Sequence, residues 1–410
     1  MKYIARITDC GPLSFRAGRD TKTSETLRYV PGSTLRGGLA AAHTMLGRDK
    51  DEFSAFFTHE ESSFGNLYPA SFDDDPKLED LQDDMSPLHP IPATARTCKR
   101  FGGFKFDQMD EEDPHHGAYD SLIPWAIFAL SGETNVTILE GEKDCPECDE
   151  PMDRFTGFYR RSESNQESIG QAKAERSLRT RTGIDRNTGT VKHGILYNRE
   201  VLRAGSEFWG TLNVPDDQAQ AFYDFIEEAS KAKLLRIGNN RTRGFGRITL
   251  NLERAERGDT AETLRQRIDD FTAELRRWAQ EAGVDTPHAA YVSLTLTADA
   301  VLYDRLLRCQ TTITPAYLEA VWGLAGAEPI YQNSGTRRVM GWNSLWRVPK
   351  PDDIAITMGA VFLFGFRESP GEDQVQTLLT MQNQGIGARR REGFGRLVVA
   401  SPFHWEVKGL

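Results

Sequence analysis

The chain has 410 residues, which at the usual domain size is two domains with room for an insertion. Its formal net charge of -10 speaks against a general nucleic-acid coater, which needs positive charge along its surface, and leaves open a local basic track. No apolar run approaches the roughly 20 residues of a membrane span, and the opening MKYIARITD reads as a strand rather than a secretion signal, so a cytoplasmic protein without a membrane partner is expected.

A first strand is expected near Tyr3 to Thr8, followed by a Gly-Pro turn and a polar loop, Ser14 to Glu25. Ser33 reads as the N-cap of a helix on which Leu35, Leu39, Ala42 and Leu46 recur at helical spacing. Gly37 and Gly38 weaken that helix, and their expected use is close approach of another backbone. From about Phe72 to Glu112 the chain is acidic and rich in Pro and Gly, as an insertion with little regular structure would be. Ser121 to Leu130 and Thr134 to Leu139 read as short buried elements, and Gly157 to Gly194 as an exposed loop or hairpin. A strand at Gly205 to Val214, a helix at Asp216 to Ser230, a glycine-rich loop and a strand at Arg247 to Leu252 complete the first half. Leu264, Ile268, Phe271, Leu275 and Trp278 step by four, three, four, three along a charged amphipathic helix that joins the halves and packs on one of them. The second half reads as a strand at Tyr291 to Ala298, a helix near Pro315 to Leu324, strands near Thr336 to Trp346 and Ile354 to Phe366, a helix at Asp373 to Gln382, a second glycine-rich loop and a last strand near Leu397.

The two glycine-rich loops are copies of each other. Ile237 to Ile248 and Ile386 to Leu397 agree at seven of twelve positions: the Ile-Gly pair, one inner arginine, and Gly-Phe-Gly-Arg. Both follow a helix and precede a strand, so the chain repeats one supersecondary unit. Glycine leaves backbone N–H groups uncovered, which makes a nest for a phosphate or for a neighbouring backbone, and arginine adds charge-assisted contacts. The plainer reading is a tight turn with Phe245 and Phe394 as core plugs, and for the two rings the core is the expectation. Neither loop follows a strand and opens a helix, so the pattern is neither a dinucleotide fingerprint nor a Walker loop.

These loops carry a family resemblance together with three other stretches: the Tyr29-Val30-Pro31-Gly32-Ser33-Thr34-Leu35-Arg36-Gly37 run, the polar stretch Arg179 to Thr190, and Gly194-Ile195-Leu196-Tyr197. Over nearly its whole length the chain resembles the RAMP superfamily of CRISPR-associated proteins. Within it, the chain looks like the large RAMP subunit of type III-D effector complexes, similar to the Cas-five group. The resemblance implies an α+β fold of two ferredoxin-like, RRM-like domains. The first spans residues 1–250, with an insertion at about 72–156 and a projecting loop at about 157–194. A helical linker at 251–288 leads to the second, residues 289–410.

The same resemblance implies a non-catalytic RNA-binding subunit that holds the 5′ tag of the CRISPR RNA and nucleates assembly for antiviral defence. Target RNA would lie nearby, and the neighbours would be the large palm-domain subunit and the backbone RAMP subunits. By residue-wise carry-over the guide-contacting candidates are Gly238, Arg241, Arg243, Gly244 and Gly246 in the first loop and Gly387, Arg389, Arg390, Gly393 and Gly395 in the second. Ser33, Thr34 and Arg36 join them at a helix N-terminus, where a phosphate is welcome. Arg179, Arg181 and Arg186 belong to a stretch that resembles the projecting hairpin of these proteins.

Of the five cysteines, Cys145 and Cys148 form a C-x-x-C, with Cys98, His115 and His116 upstream. An odd count without a secretion signal does not read as a disulfide framework. Cys98, Cys145 and Cys148 with one histidine, His116 ahead of His115, make an ordinary tetrahedral zinc set. They lie in an insertion with little core of its own, where a structural Zn2+ contributes most. Redox use lacks a thioredoxin-like context, and unligated thiols are the remaining alternative. Cys10 and Cys309 read as core residues.

The competing function is a RAMP endoribonuclease that cuts precursor or target RNA. Asp20, Glu25, His43, His59 and His193 are the groups available for it, and no pair has acid–base spacing, so no catalytic residue is expected.

Overall fold

The computed structural model describes residues 1–16, 25–72, 81, 84–105, 115–162, 168–185, 188, 190–255, 258–343 and 348–407. It is an α+β chain of small antiparallel sheets and helices that clusters into two units. The first unit holds Met1–Leu88, Arg160–Glu256 and Arg391–Gly393; the second holds His89–Tyr159, Arg257–Arg390 and Phe394–Leu410. The stretch read as an insertion in the first domain therefore clusters, from His89 onward, with the C-terminal half.

In the first unit, β1 (Lys2–Cys10), α1 (Gly32–Met45), α2 (Lys50–Phe57) and β2 (Ser63–Pro69) are followed by a hairpin, β3 (Arg176–Ile184) and β4 (Val191–Leu202). Then come β5 (Phe208–Asn213), α3 (Ala219–Lys231) and β6 (Ile248–Arg254). The four-stranded sheet runs β6-β1-β5-β2, with every neighbouring pair antiparallel. Alternation along β1 sends Tyr3, Ala5 and Ile7 into a core with Leu35, Leu39, Phe56, Phe57, Phe222 and Phe225 of the helices.

The opposite face of that sheet is covered in part by the chain itself, while Thr249, Asn251 and Glu253 of β6 stay exposed on it. Trp209 lies between two guanidinium groups, with Arg6 Cζ 3.8 Å and Arg160 Cζ 4.1 Å from its ring centroid. Arg160 is fully buried and donates from Nη1 to the Leu81 carbonyl at 2.5 Å. Burial lowers its guanidinium to about 10, against the pull of Asp84.

The second unit repeats the plan. After the capped helix α4 (Ala261–Glu281) come β7 (Ala290–Leu296), α5 (Pro315–Trp322), β8 (Ala327–Asn333), β9 (Val361–Phe366), α6 (Glu372–Gln384) and β10 (Leu397–Val399). The sheet order is β8-β9-β7-β10, all antiparallel, so in both units the first and third strands are central and the second and fourth form the edges. A hairpin again sits between the second and third strands, here Thr336–Val339 paired with Asp353–Ile356.

Both faces of this sheet are buried. Val292, Leu294, Phe362 and Phe364 pack with Leu318, Val375 and Leu378 of α5 and α6, while Tyr291, Val361 and Leu363 pack with the helix Leu122–Leu130 and with Phe271, Leu275 and Ala279 of α4. The amphipathic helix thus seals the sheet of its own unit, as its spacing predicted for one of the halves. A buried polar chain fixes the 89–159 stretch to the same sheet. Asp120 accepts from Thr94 Oγ1 at 2.6 Å and from the Leu122 N–H at 2.8 Å, lies 3.2 Å from His404 Nδ1, and His404 Nε2 shares a 2.6 Å hydrogen bond with Thr295 Oγ1. Thr134 to Leu139, expected to be a short buried element, are exposed or half-buried, and from Val136 the chain forms a 3-10 turn. Cys309, expected in the core, is exposed on a two-residue strand, whereas Cys10 is buried.

Candidate functional site

The two glycine-rich loops adopt one backbone. Positive φ recurs at matched positions: Gly238 and Gly387 (77° and 71°), Asn240 and Arg389 (58° and 60°), Gly244 and Gly393 (83° and 88°), and Gly246 and Gly395 (86° and 72°). The hydrogen bonds match as well. Ile237 N–H donates to the Gly246 carbonyl and Ile386 N–H to that of Gly395, both at 2.8 Å; Asn239 N–H donates to Ser14 and Ala388 N–H to Val301, at 2.9 and 2.8 Å. At Gly246 and Gly395 a Cβ would fall 2.1 and 1.9 Å from the Ile237 and Ile386 carbonyl oxygens, so only glycine closes this turn. These two glycines serve the loop's own packing, which makes the exposed phosphate nest smaller than the sequence alone suggests. Each loop carries a short 3-10 turn, Arg241–Arg243 in one and Arg390–Glu392 in the other.

Arg241 and Arg390 occupy the same place in the two turns, half-exposed and exposed, and neither has a side-chain ion pair among the described residues. Arg243 is exposed beside Arg241. Arg389 is different: its Nη1 pairs with Asp353 Oδ2 at 2.8 Å and its Cζ stacks 4.5 Å from the Phe394 centroid. Asp353 also accepts from the Tyr303 hydroxyl at 2.5 Å, and that bond, with burial, pushes Tyr303 up to about 12. Phe245 is 5 % exposed and Phe394 half-buried, so both rings are core plugs, as expected.

Ser33, Thr34 and Arg36 sit in the first turn and a half of α1. The cap is Pro31, not Ser33: its extended backbone suits the position, and its carbonyl accepts from the Thr34 and Leu35 N–H groups at 2.9 and 3.0 Å. Gly32 N–H donates to Asn66 Oδ1 at 3.0 Å. Arg36 turns inward and closes the end of α2, donating from Nε and Nη2 to the Phe57 carbonyl at 3.1 and 2.6 Å, and burial holds its guanidinium below the usual range. Gly38 does meet another backbone, since a Cβ there would fall 2.9 Å from the Arg236 carbonyl oxygen; Gly37 faces open space.

On the β3–β4 hairpin Arg179 is exposed, and Arg181 lays its guanidinium over the Phe245 ring. Arg186 and Asp20 lie outside the described residues. His43 is enclosed: it is 1 % exposed, with the rings of Phe53, Phe56, Phe57 and Phe225 within 5.9 Å of its own. Missed from sequence were Asp353 and the buried Asp299, whose carboxyl burial pushes up against the pull of its ion pair with Arg337. Their partners lie tens of residues away, and no local pattern marks them.

The second cluster lies within the 89–159 stretch. Ligand atoms of Cys98, His116, Cys145 and Cys148 all fall within 4.8 Å of one another. Cys98 Sγ and Cys148 Sγ are 3.7 Å apart, near the ~3.8 Å edge of a tetrahedron with ~2.3 Å zinc–sulfur bonds. His116 Nδ1 lies 3.3 Å from Cys145 Sγ, and the tight turn of the C-x-x-C is set by Asp149 N–H donating to the Cys145 carbonyl at 2.8 Å. Three thiols and one imidazole, from the end of the strand Ala95–Cys98, the segment just before the strand Ala118–Asp120 and the turn Cys145–Cys148, form a closed four-ligand donor set. His116 is the histidine brought into it, while His115 Nδ1 lies 3.2 Å from the Phe104 carbonyl oxygen.

No protein of curated function matches the chain. Among solved structures it is similar to a chain of the Type III-B Cmr-beta complex bound to cognate target RNA and AMPPnP, at 13% identity and a TM-score of 0.35 over 88% of this chain and 86% of that one. A chain of the same complex bound to cognate target RNA gives 13% and 0.34 over the same shares, and one from its apo state 11% and 0.28 over 62% of this chain and 97% of that one. The family model for the RAMP superfamily matches residues 10–249, more than half of the chain, and the protein belongs to the RAMP superfamily.

Proposed function

We propose that the protein is a non-catalytic, RNA-binding subunit of a type III CRISPR effector complex. It holds the 5′ tag of the CRISPR RNA through the two glycine-rich loops of its two ferredoxin-like, RRM-like units. The observation that carries this reading is the duplicated loop, with one backbone and an arginine at the same place in each turn, Arg241 and Arg390. RRM modules stack bases on an open sheet face. Here Arg6, Trp209 and Arg160 occupy part of that face in one unit, and α4 and the helix Leu122–Leu130 cover it in the other. In the loops arginines meet phosphates and the backbone is read by shape. The neighbours are a large palm-domain subunit and backbone RAMP subunits. His43 is walled in by phenylalanine and is no acid or base for RNA, which favours holding over cutting. Sequencing the RNA that copurifies with the assembled complex tests this. A discrete population sharing one 5′ end is expected; random fragments, or a loss of RNA cleavage in His43→Ala with guide content intact, would overturn it.

We also infer that Cys98, Cys145, Cys148 and His116 hold one structural Zn2+. An ion tying the end of one strand, the approach to a second and a turn through four ligands would add to the stability of this stretch. Metal analysis of chelator-washed protein should give about one zinc per chain; less than about a fifth of that would remove the site.

A further inference from the structure

The two units share more than the glycine-rich loop. Leu13 bridges Leu202, Ala300 bridges Ile356, and the next carbonyls along, Ser14 and Val301, accept from the two loops. Two residues further, Arg16 pairs with Thr26 and Tyr303 with Cys309, so a small hairpin follows the first strand in each copy. The tips differ. Between the paired residues the first copy has the polar run Ala17 to Glu25, and the second has Asp304-Arg305-Leu306-Leu307-Arg308. One slot in the fold takes either tip, so the leucines are not a requirement of the fold.

Leu306 and Leu307 are 73 and 80 % exposed, the highest values among the large apolar side chains described. Asp304 N–H donates to the Arg308 carbonyl and Leu307 N–H to the Asp304 carbonyl, both at 3.0 Å, which closes a three-residue loop. The last residue of such a loop is left-handed, a place that glycine fills most easily. Here it is Leu307, at a φ of 59°. The Asp304 carboxylate locks the turn, accepting from the Leu306 and Arg308 N–H groups at 2.8 and 2.9 Å and from Arg308 Nε at 2.7 Å. A leucine at a glycine position, turned to water on a rigid turn, is unfavourable for the chain alone in both backbone and hydration. Arg305 is exposed beside the pair and has no ion pair among the described residues.

We propose that this tip is a knob by which the second unit docks on a neighbouring protein subunit, in an apolar pocket with a carboxylate on its rim. Burial against a partner removes the hydration cost, and a turn already held by Asp304 loses little freedom on docking. The lone cation at the edge selects a rim of opposite sign. Leucine offers a base no π face to stack on. Two leucines also cover less than the single acyl chain that anchors a protein to a bilayer only marginally. The proposal rests on the reading of the chain as one subunit of an assembly, and not on where RNA lies.

The test uses the full chain carrying Leu306→Ser/Leu307→Gly, coexpressed with the rest of the complex and purified through a tag on this chain. The free variant should melt no lower than the wild type, since glycine suits the left-handed position. Native mass spectrometry of the assembly should nevertheless show one protein neighbour bound about tenfold or more weakly, as for a lost hot spot. Arg305→Glu should weaken the same neighbour, and Arg305→Lys should spare it. Cys309, exposed next to the tip, is a native probe: iodoacetamide should alkylate it about tenfold or more slowly in the wild-type complex than in the free chain. Wild-type composition in the double variant, with Cys309 alkylated equally fast in complex and free chain, would overturn the knob. So would loss of RNA with every protein subunit retained, which gives the tip to RNA, or loss only of self-association by the free chain, which gives it to a second copy. A wild-type complex that carries the neighbour but no discrete RNA, and loses that neighbour in the double variant, would support the knob while removing the RNA-holding reading.

Discussion

The Arg181 guanidinium lies over the ring of Phe245, 4.7 Å from its centroid, and so joins the projecting hairpin to the first glycine-rich loop. The second unit makes the same connection with other residues: Arg389 stacks on Phe394 within the loop and pairs with Asp353 of the hairpin. In each unit the phenylalanine of Gly-Phe-Gly plugs the turn and carries an arginine that ties hairpin to loop.

Removing the first of these ties should loosen the hairpin without unfolding the unit. A cation–π contact of this exposure contributes about 0.5–1 kcal/mol. Arg181→Ala is expected to raise amide hydrogen exchange across residues 176–202 by a few-fold, with Arg181→Lys in between. Exchange equal to the wild type in both variants would mean that the stack holds nothing in place.

The cover on the first sheet face depends on Arg160. It is buried between Trp209 and Phe72, 5.5 Å from the latter's ring centroid, and compensates Asp84. Arg160→Ala should cost about 3 kcal/mol by stranding that carboxylate and leaving a void. Chemical denaturation of the two proteins measures this; a loss below about 1 kcal/mol would show the covering segment to be held by other contacts.

Much of this architecture was legible in the sequence, because it rests on local signals. The loop repeat, the amphipathic helix from Leu264 to Trp278 and the Cys145–Cys148 turn are each written within a dozen or so residues. What escaped is long-range. Arg36 reads as a phosphate ligand at a helix start until Phe57, 21 residues on, is seen to claim it. Arg389 reads as one of three loop arginines until Asp353 is found beside it. The allegiance of residues 89–159 turns on Asp120 meeting His404 and on Leu122, Ile123 and Ala126 meeting the second sheet, pairings that no periodicity announces.

His43 gives the fold a dependence on pH. Burial holds its imidazole below the usual 6.5, with Glu52 pulling the other way, so the folded chain refuses a proton that the unfolded chain accepts. The stability tied to neutral His43 is complete above about pH 6.5 and is lost progressively below it. His43→Gln should therefore show a shallower fall in Tm between pH 7.5 and 5.5 than the wild type. Parallel curves for the two proteins would show that His43 does not titrate differently on folding.

The Zn2+ proposed at Cys98, His116, Cys145 and Cys148 should govern the stability of the second unit. Chelation, or Cys148→Ser, is expected to lower Tm and to raise proteolytic cutting within residues 89–159, while the first unit, which contributes no ligand, keeps its protection. A chelated protein that melts and resists protease as before would mean four reduced side chains and no ion.

The central claim is that the two copied loops hold RNA by its phosphates. It is tested most directly by the salt dependence of RNA binding in Arg241→Ala, Arg390→Ala and the double variant, each in the assembled complex. Each single change should weaken binding and lower the slope of log affinity against log salt by roughly 0.7, and the double change by about 1.4, as for phosphate contacts to a single strand. If affinity and slope stay at wild-type values in all three, the loops are structural turns and the protein's place in the complex does not rest on RNA held there.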